Sequence, residues 1–376
     1  MPGVKYVSLH EYSGYGEAAQ RYLRALVRSG VQLTWTPMVR GRGWGMGYEP
    51  YTGRDIGEPW LRPYCNRKIE YDRVIVHTVP EYFPLWKERE RGKIVIGYTV
   101  WETDRPPRHW APLLNGVDRL AVPCRWNREL FRQHGVTTPI AVVPHLPPEM
   151  ESLAPPEALP RPNRPFTFYT IGAWTTRKAV WLSIEAYLRA FSGEESVLLV
   201  VKTTKRDFTR RGFGPFFART SRRVGQIVRR HPRPAAVRLL AEELSQDEMA
   251  ALHRSGDCYL SLCRSEGWGL GAYDAACLGR PVVMTGYGGQ LDYLDARFSY
   301  LVDYDLVPVE DPMAPRSYDR GQHWAEPRID HAATLLRQVF EDQEPARSRA
   351  RRLAESLSVR FDAAGLSRIL MELVGT

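Results

Sequence analysis

The sequence contains little that would place it in a membrane or outside the cell. No apolar run approaches the roughly 20 residues that span a bilayer, and the five cysteines include no CxxC pair. An odd set of scattered cysteines argues against a disulfide framework or a zinc site and is typical of a reducing compartment. The opening MPGVKYVSLH enters a predicted strand at once, so we expect no secretory signal. We predict a cytoplasmic protein and leave peripheral membrane contact as an open alternative.

Repeats and low-complexity tracts are also missing, and so is a metal-binding acidic triplet at a predicted strand end. Asp303-Tyr304-Asp305 has the DxD spelling, but it lies late in the chain and is interpreted as a loop. The remaining composition is ordinary. A chain of 376 residues with 43% hydrophobic and 25% charged residues indicates a globular protein of two domains.

The net charge of +9 has a local source. Residues 202–233 hold eleven basic side chains and one acid, with Phe213, Phe216 and Phe217 among them. Such a surplus attracts polyanions, so an anionic or lipid-linked acceptor, a membrane surface or a nucleic acid is a candidate partner. A solvated helix face rich in arginine is the alternative explanation of the same residues.

Short apolar runs alternate with amphipathic stretches, a pattern typical of βα units around parallel sheets. Residues 1–150 form the predicted N-terminal domain, with strands Lys5–Leu9, Val31–Trp35, Arg73–His77, Ile94–Thr99, Leu120–Val122 and Ile140–Val143 and helices Glu17–Ser29 and Arg125–His134. The proline-rich residues 151–165 predict a semi-rigid linker.

The alternation restarts over residues 166–358, the predicted C-terminal domain. Its strands are Phe166–Ile171, Val197–Lys202, Asp257–Ser261 and Pro281–Thr285, and its helices are Lys178–Phe191 and those that open near Ser245 and Leu270. A terminal helix lies within residues 359–376. Two α/β domains of the doubly wound type therefore follow from the pattern.

Two glycines follow the first predicted strand, in Ser13-Gly14-Tyr15-Gly16-Glu17. Glycines between a strand and a helix allow backbone amides to approach an anion at the helix N-terminus. The third glycine of the dinucleotide fingerprint is missing, so the motif is a weak signal for NAD. A tight turn that needs a positive φ is the alternative explanation.

The sharpest cluster reads Arg264-Ser-Glu266-Gly-Trp-Gly-Leu-Gly-Ala-Tyr-Asp274. Three glycines lie between a buried strand and a helix, and two carboxylates eight positions apart bracket them. Glu266 is predicted on the loop and Asp274 about one turn into the helix, where both could face one crevice. A carboxylate accepts two hydrogen bonds and so suits the vicinal hydroxyls of a sugar or a ribose. Helix capping by Glu266 with a surface Asp274 is the alternative.

This segment resembles the E-x7-E signature of the retaining family-4 glycosyltransferases of GT-B fold. Gly279-Arg-Pro-Val-Val283 and Gly288-Gly-Gln-Leu-Asp292 are similar to the family's G-x-P-V-V and G-G-x-x-D elements, and Arg177-Lys178 stands where the family has an Arg-Lys pair. The elements occur in the family's order over nearly the whole chain. The resemblance implies a GT-B fold of two Rossmann-like domains separated by a cleft, with the terminal helix crossing back to the N-terminal domain.

The resemblance also implies roles for single residues. Arg177 and Lys178 would neutralise the donor diphosphate, Glu266 would contact the donor sugar and Asp274 would hold the ribose. The family usually has glutamate at the last position, so Asp274 is a departure that leaves the ribose geometry open. The remaining candidate donor-binding residues are Gly14, Gly16, Gly267, Trp268, Gly269 and Leu270.

A second departure follows the strand Ile94–Thr99, where many relatives have a histidine and this chain has Glu102. A carboxylate there could orient the acceptor hydroxyl or act as its base, and a surface position is the alternative. The candidate acceptor residues are His10, Tyr15, His77 and Glu102, with aromatic residues of loop 40–66 as further contacts. The candidate catalytic residues are Glu102, Arg177, Lys178 and Glu266.

The predicted function is transfer of a hexose-type sugar from a UDP- or GDP-linked donor, such as GDP-mannose, to a hydroxyl acceptor. The resemblance implies retention of configuration and no metal or other cofactor, and the missing DxD triplet agrees with the latter. Two rival classes remain. One is a DNA-modifying or nucleic-acid-binding transferase that uses residues 202–233, and the other is a GT-B enzyme that hydrolyses or epimerises a nucleotide sugar.

Overall fold

The computed structural model describes residues 3–11, 13–41, 47–149, 164–210 and 219–375. Up to residue 149 the elements are β1 (Gly3–Leu9), α1 (Gly14–Arg28), β2 (Leu33–Arg40), β3 (Tyr48–Pro50), β4 (Tyr71–His77), α2 (Phe83–Arg89), β5 (Ile94–Tyr98), α3 (Trp110–Leu114), β6 (Arg119–Val122), α4 (Arg125–Gln133) and β7 (Ile140–Val142). The predicted linker lies almost wholly outside the described residues, as do Phe213, Phe216 and Phe217.

From residue 164 onward the elements are β8 (Phe166–Ile171), α5 (Val180–Ala190), β9 (Val197–Lys202), α6 (Thr220–Val228), β10 (Ala236–Leu240), α7 (Gln246–Ser255), β11 (Cys258–Ser261), α8 (Leu270–Cys277), β12 (Val282–Thr285), β13 (Tyr300–Val302), β14 (Tyr304–Pro308), β15 (His323–Pro327), α9 (Ile329–Glu341), α10 (Gln343–Arg360) and α11 (Ala363–Val374). In the described part of the chain, no helix is both long and apolar enough to cross a membrane.

The chain divides into two compact units. Unit 1 comprises the described residues of 1–101, 105–146 and 361–376, and unit 2 comprises those of 102–104 and 147–360. Each unit therefore contains a piece of chain that is remote in sequence. Glu102 belongs to unit 2, and α11 belongs to unit 1.

Unit 1 is built on a sheet with the strand order β3-β2-β1-β4-β5-β6-β7. All neighbours pair in parallel except β2 and β3, which are antiparallel. The strand order reverses between β1 and β4, where Val7 of β1 aligns with Val76 of β4. β1 is buried at every position except the half-buried Lys5, and β4 is buried over its last four residues, as expected for central strands covered on both faces.

Helix α1 begins because Ser13 caps it. The Ser13 side chain accepts a hydrogen bond from the Gly16 amide at 3.3 Å, and the helix buries Ala18, Tyr22 and Leu26 at helical spacing. A Cβ added to Gly16 would lie 2.0 Å from the carbonyl oxygen of Glu11, whereas one added to Gly14 would meet nothing. Neither glycine has a positive φ. The positive-φ explanation is therefore wrong, and close packing is what requires glycine at position 16.

Unit 2 is built on a parallel sheet with the strand order β10-β9-β8-β11-β12-β13. Its core is a continuous buried cluster to which adjacent strands contribute Phe168, Leu199, Leu260 and Val283. The order reverses between β8 and β11. The two predicted strands Phe166–Ile171 and Val197–Lys202 are confirmed to the residue.

The loop interpretation of Asp303-Tyr304-Asp305 was wrong for Tyr304 and Asp305, while Asp303 does lie outside a strand, between β13 and β14. Tyr304 opens β14, which pairs antiparallel with β15, and Asp305 aligns with Glu326. The Asp305 carboxylate is bound by Arg328 at 2.7 Å and is thus part of the hairpin's own surface. The alternation of Tyr304, Leu306 and Pro308 with other residues is too short to separate an exposed hairpin strand from a loop.

Candidate active site

The carboxyl ends of β8 and β11 lie side by side where the strand order of unit 2 reverses. Open α/β sheets bind ligands at such switch points. The segment after β8 carries Arg177 and Lys178, and the segment after β11 carries Glu266. The two segments are joined by a hydrogen bond from the Arg264 amide to the Arg177 carbonyl oxygen at 2.9 Å. The topology thus brings the predicted catalytic residues of unit 2 to one edge of the sheet.

Four charged side chains form an ion cluster at this edge: Glu102, Arg177, Lys178 and Glu266. Lys178 donates a hydrogen bond to Glu266, and Nη1 of Arg177 lies 3.1 Å from the other oxygen of the same carboxylate. The second terminal nitrogen of Arg177, Nη2, lies 3.1 Å from Oε1 of Glu102. Two cations therefore face two carboxylates, and one guanidinium links the pair.

The two carboxylates of the ion cluster are both buried but differ in proton affinity, because the cations act more strongly on Glu266. Burial raises the pKa of Glu102, and neither Arg177 nor Lys178 fully offsets that effect, because the Glu266 carboxylate opposes them. Burial also acts to raise the pKa of Glu266, but Lys178 and Arg177 outweigh it and hold the pKa of this carboxyl below its usual value. Glu266 is the ionised partner of the cluster, and Glu102 is the one that accepts a proton more readily.

Aromatic rings pack against the loop that carries Glu266 and support it. The indole of Trp268 packs between Tyr273 and Tyr293, with ring centroids 5.1 and 4.9 Å away, and only 3% of this residue is exposed. Tyr293 donates a hydrogen bond to the carbonyl oxygen of Gly269 at 2.9 Å, and Gly269 has a φ of 83° that favours glycine. The predicted donor contact of Trp268 stays a prediction, and its side chain supports the loop.

The G-G-x-x-D element contacts the same loop. The amide of Gly289 donates to the carbonyl oxygen of Glu266 at 2.8 Å. Gly288 has a φ of 109°, and a Cβ there would lie 2.6 Å from that carbonyl oxygen. Glycine at position 288 is therefore required by close approach to the backbone of Glu266 as well as by conformation.

Both helices that begin beside the ion cluster lack a side-chain cap. Helix α8 follows Gly269, and α5 follows Ala179, which has a left-handed φ of 41°. The first amides of a helix have no partner within the helix, and they carry partial positive charge that attracts anions. Leu270 opens α8, and Asp274 lies one turn further on and is buried. The predicted position of Asp274 on the helix is thereby confirmed, while its ribose contact stays a prediction.

The candidate residues of unit 1 form a neutral cluster. The His77 ring is buried, accepts or donates a hydrogen bond at 2.8 Å to the Tyr6 hydroxyl, and lies 4.3 Å from the Tyr98 ring. Burial lowers the pKa of His77 to about 3. Tyr15 packs on the same ring and bonds to the Thr99 hydroxyl at 3.1 Å. At neutral pH His77 therefore carries no charge.

His10 lies apart from this cluster. Its ring packs edge-on against Trp35 at 5.8 Å, and both line a cavity of about 20 Å³ with Gly16 and Glu58. Such a volume holds about one water molecule. Gly57 and Glu58 come from loop 40–66, so part of the predicted acceptor loop does lie beside His10. Residues 42–46 of that loop lie outside the described residues.

Residues 119–367 match the family described as "Family 4 Glycosyltransferase in conflict systems". The chain belongs to this family. A comparison with curated proteins gave no match. The sequence-based assignment to family 4 and to the GT-B fold is therefore confirmed, and the protein is a glycosyltransferase.

Solved glycosyltransferase structures have the same fold as this family-4 chain. Sucrose-phosphate synthase from Thermosynechococcus elongatus is similar with a TM-score of 0.71 and 12% identity, covering 99% of this chain and 98% of that one. HepE from Anabaena, in complex with UDP and glucose, is similar with a TM-score of 0.64 and 11% identity. The match covers 100% of this chain and 99% of HepE. TarM from S. aureus is similar with a TM-score of 0.59 and 12% identity. The match covers 81% of this chain and about half (55%) of TarM.

The sequence predicted no role for three neighbours of the ion cluster in this glycosyltransferase: Tyr318, Arg264 and Glu326. Tyr318 interacts electrostatically with both Glu102 and Arg177. Arg264 is clamped by Glu326 of β15 at 2.5 and 3.2 Å. Tyr318 carries no motif that could have identified it. The stretch from His323 to Pro327 is distinctive in sequence, but only its pairing with Arg264 gives it a position.

The basic run of this family member divides into paired and exposed side chains. Lys205 and Arg233 pair with acids outside the run, and Arg223 pairs with Asp207 within it. Helix α6 buries Val224 and Ile227. Its opposite face and C-terminal end carry three exposed arginines, and among the described residues no acid pairs with them: Arg222, Arg229 and Arg230.

Proposed function

We propose that this glycosyltransferase transfers a hexose-type sugar from a UDP- or GDP-linked donor to a hydroxyl acceptor with retention of configuration and without a metal ion. The ion cluster carries this proposal. Two cations at the switch point of unit 2, beside two helices without side-chain caps, form a site for a diphosphate. UDP in the structures of HepE and TarM supports the same donor class.

The proposed reaction is a front-face displacement. The acceptor oxygen bonds to the anomeric carbon on the face from which the diphosphate leaves, the bond between that carbon and the phosphate oxygen breaks, and the acceptor proton passes to the departing phosphate. Negative charge builds up on the diphosphate in the transition state. Arg177 can contact it with two nitrogens and Lys178 as a point charge, so both stabilise the transition state.

The two carboxylates of the E-x7-D segment have different partners in this proposal. Glu266 stays ionised between its cations and would meet the donor sugar, where its charge stabilises an oxocarbenium-like anomeric carbon. Asp274 would hold the ribose of the leaving nucleotide. The backbone amides of Gly267 and Leu270, at the uncapped start of α8, would bind sugar hydroxyls or phosphate.

A thermal-shift and calorimetry panel of UDP, GDP and their sugars tests the donor class, because a ligand that binds the native state raises its stability. We expect a nucleoside diphosphate to stabilise the protein and EDTA to leave that shift unchanged. NMR of the product's anomeric centre then tests retention. An inverted product, or a stabilisation that disappears in EDTA, would contradict the proposal. Sugar release without an acceptor that outpaces transfer would favour a hydrolase instead.

We also propose an anionic acceptor or surface, because α6 presents Arg222, Arg229 and Arg230 on exposed positions without acids to neutralise them. Neutralising all three with glutamine should weaken association with anionic vesicles at low salt. The paired Arg233, changed to glutamine, is the control. Binding to duplex DNA with a steep salt dependence would point to the nucleic-acid alternative, and no change in either assay would leave α6 a solvated face.

A further inference from the structure

The ion cluster is electrically balanced before any donor binds. Arg177 and Lys178 contribute two positive charges, and Glu102 and Glu266, when ionised, contribute two negative charges at contact distance. A diphosphate brought to these cations adds further negative charge in a poorly solvated place. Either a carboxylate moves away from the cations or one of them takes up a proton.

We propose that Glu102 is a built-in competitor of the donor diphosphate: it holds one prong of Arg177 in the ligand-free enzyme, then releases it and takes a proton from solvent when the diphosphate binds. This inference rests on the proposed function, because it assigns the diphosphate to Arg177. It adds two events to donor binding: Arg177 exchanges Glu102 for the diphosphate, and Glu102 takes up a proton.

The geometry of Arg177 selects Glu102, and not Glu266, as the group that leaves. Nη1 of Arg177 is fixed by two acceptors, the Ser265 carbonyl oxygen at 2.8 Å and the Glu266 carboxylate at 3.1 Å. Nη2 pairs with Glu102 alone among the described ion pairs, and the further contact of Arg177 with the Tyr318 hydroxyl is a hydrogen bond to a neutral group. Lys178 gives Glu266 a second cation, whereas Glu102 has no second cation within ion-pair distance in the described part of the chain. The Nη2 prong is therefore the one that a phosphate can capture.

Contacts of the segment 102–104 with β15 of unit 2 fix the position of Glu102. Its neighbour Asp104 accepts hydrogen bonds from the backbone amide of His323 at 2.6 Å and contacts the His323 ring at 3.1 Å. The Asp104 amide donates in return to the His323 carbonyl oxygen at 3.2 Å. Three contacts thus tie the segment 102–104 to β15 and hold Glu102 against Arg177.

The charges around Glu102 set the direction of the pH dependence. Arg177 and Lys178 favour its ionised form, the Tyr318 hydroxyl hydrogen-bonds to it, and Glu266 repels it. Burial already raises the pKa of Glu102, and a phosphate that takes Nη2 removes its main cation and adds a nearby anion. The pKa of Glu102 is then higher with the diphosphate bound than without it. Diphosphate affinity accordingly falls as pH rises through the interval between those two pKa values.

Calorimetric titration of the full-length protein with UDP and with GDP tests this exchange. We compare wild type with Glu102→Gln from pH 5 to 8.5, in buffers of different ionisation enthalpy that report proton uptake. Glu194→Gln is the control, since Glu194 pairs with Arg233 near the amino-terminal edge of the same sheet. The diphosphate's own titration is common to all three proteins, so the difference between them isolates Glu102.

We expect wild type to take up close to one proton for each nucleotide at the pH of strongest linkage. Glu102→Gln should bind about tenfold tighter at pH 8.5, because a neutral amide holds an arginine more weakly than a carboxylate does, and it should take up less proton. Glu194→Gln should match wild type. Glu102→Asp retains the charge and should retain the proton uptake, and wild type alone decides the point if the glutamine variant does not fold.

The outcomes separate this inference from the proposed function. If neither nucleotide binds wild type, the diphosphate site itself is wrong. If wild type binds one of them without taking up protons beyond those of the nucleotide, the exchange is wrong while the site stands. If folded Glu102→Gln binds the nucleotide no tighter than wild type, the competitor role is wrong while the diphosphate site stands. If it binds the nucleotide more weakly, Glu102 is a residue that positions Arg177.

Discussion

The first strand-to-helix turns of the two units share a topology and differ in chemistry. Between β1 and α1, Ser13 caps the helix and Gly16 packs against the Glu11 backbone, next to the uncharged His77 cluster. Between β8 and α5 the helix has no side-chain cap, begins at a left-handed Ala179 and follows two cations. A helix end that satisfies its own amides has less to offer an anion. The function therefore depends on residues in the turns and not on the fold they share.

The strongest way to break this contrast is to remove the cations of unit 2. Arg177→Ala with Lys178→Ala should weaken binding of a nucleoside diphosphate at least a hundredfold, because each charged hydrogen bond contributes about 1.5–3 kcal/mol. Loss of both cations also removes every described ion pair of the buried Glu102 and Glu266, so we expect lower thermal stability as well. Calorimetry measures the affinity and circular dichroism checks the fold.

Two lysines make that test specific. Lys178→Met removes one of two cations that pair with Glu266, and Lys5→Met removes one of two lysines that pair with the buried Glu90 in unit 1. Both variants should lose stability, and only the first should lose nucleotide affinity. Unchanged affinity in the folded Lys178→Met or double variant would exclude this diphosphate site.

Within unit 2, substitutions of Glu266 and Asp274 test whether the two carboxylates have different roles. Glu266→Gln keeps the shape but removes the charge that we propose lies next to the transferred sugar, so kcat should fall more than KM rises. Asp274→Asn should mainly weaken nucleotide binding, by about 1–3 kcal/mol, the range for a hydrogen bond to a charged group. Steady-state kinetics and nucleotide titrations measure both effects. Near-wild-type turnover in Glu266→Gln, or normal nucleotide binding in Asp274→Asn, would refute the corresponding role.

In unit 1 the two glycines of the first turn separate packing from binding. Gly16→Ala places a methyl group 2.0 Å from the Glu11 carbonyl oxygen and should cost about 1–3 kcal/mol of stability. Gly14→Ala meets nothing within 4 Å and should leave the melting temperature unchanged. Differential scanning fluorimetry compares them. A loss of activity in stable Gly14→Ala would support a backbone role toward the donor, and full activity would argue against it.

The smallest effect concerns the neutral cluster of unit 1. Folded His77 titrates near 3 and an unfolded histidine near 6.5, so the unfolded state binds more protons between these values and stability falls as pH decreases. From pH 7.5 to 5 the resulting loss in the free energy of unfolding is about 2 kcal/mol. His77→Phe with Tyr6→Phe removes both hydrogen-bonding partners and should reduce that loss. Unfolding of the two proteins at both pH values measures it; an identical pH dependence would contradict a neutral His77.

The sequence was most informative where a residue's surroundings are local. Alternation of apolar and amphipathic stretches placed β8 and β9 correctly, and the spacing of Glu266 and Asp274 placed one on a loop and the other one turn into α8. Nothing local links Glu102 to Arg177, which lie far apart in the chain and meet only through tertiary structure. The short strands β3, β10, β13, β14 and β15 were missed because three to five residues are too few for a periodicity.

The assignment of α11 to unit 1 has a consequence for synthesis. Its Met371 contacts Ser29, and Arg119 donates to the Leu373 carbonyl oxygen at 3.5 Å, so this helix completes a unit whose sheet ends at β7. Residues 361–376 leave the ribosome more than two hundred residues after residue 146. At about 5–20 residues per second this is a delay of roughly 10–40 s. The surface that α11 covers stays open meanwhile, which makes the nascent chain a natural client for a chaperone and a C-terminal truncation more harmful than its length suggests.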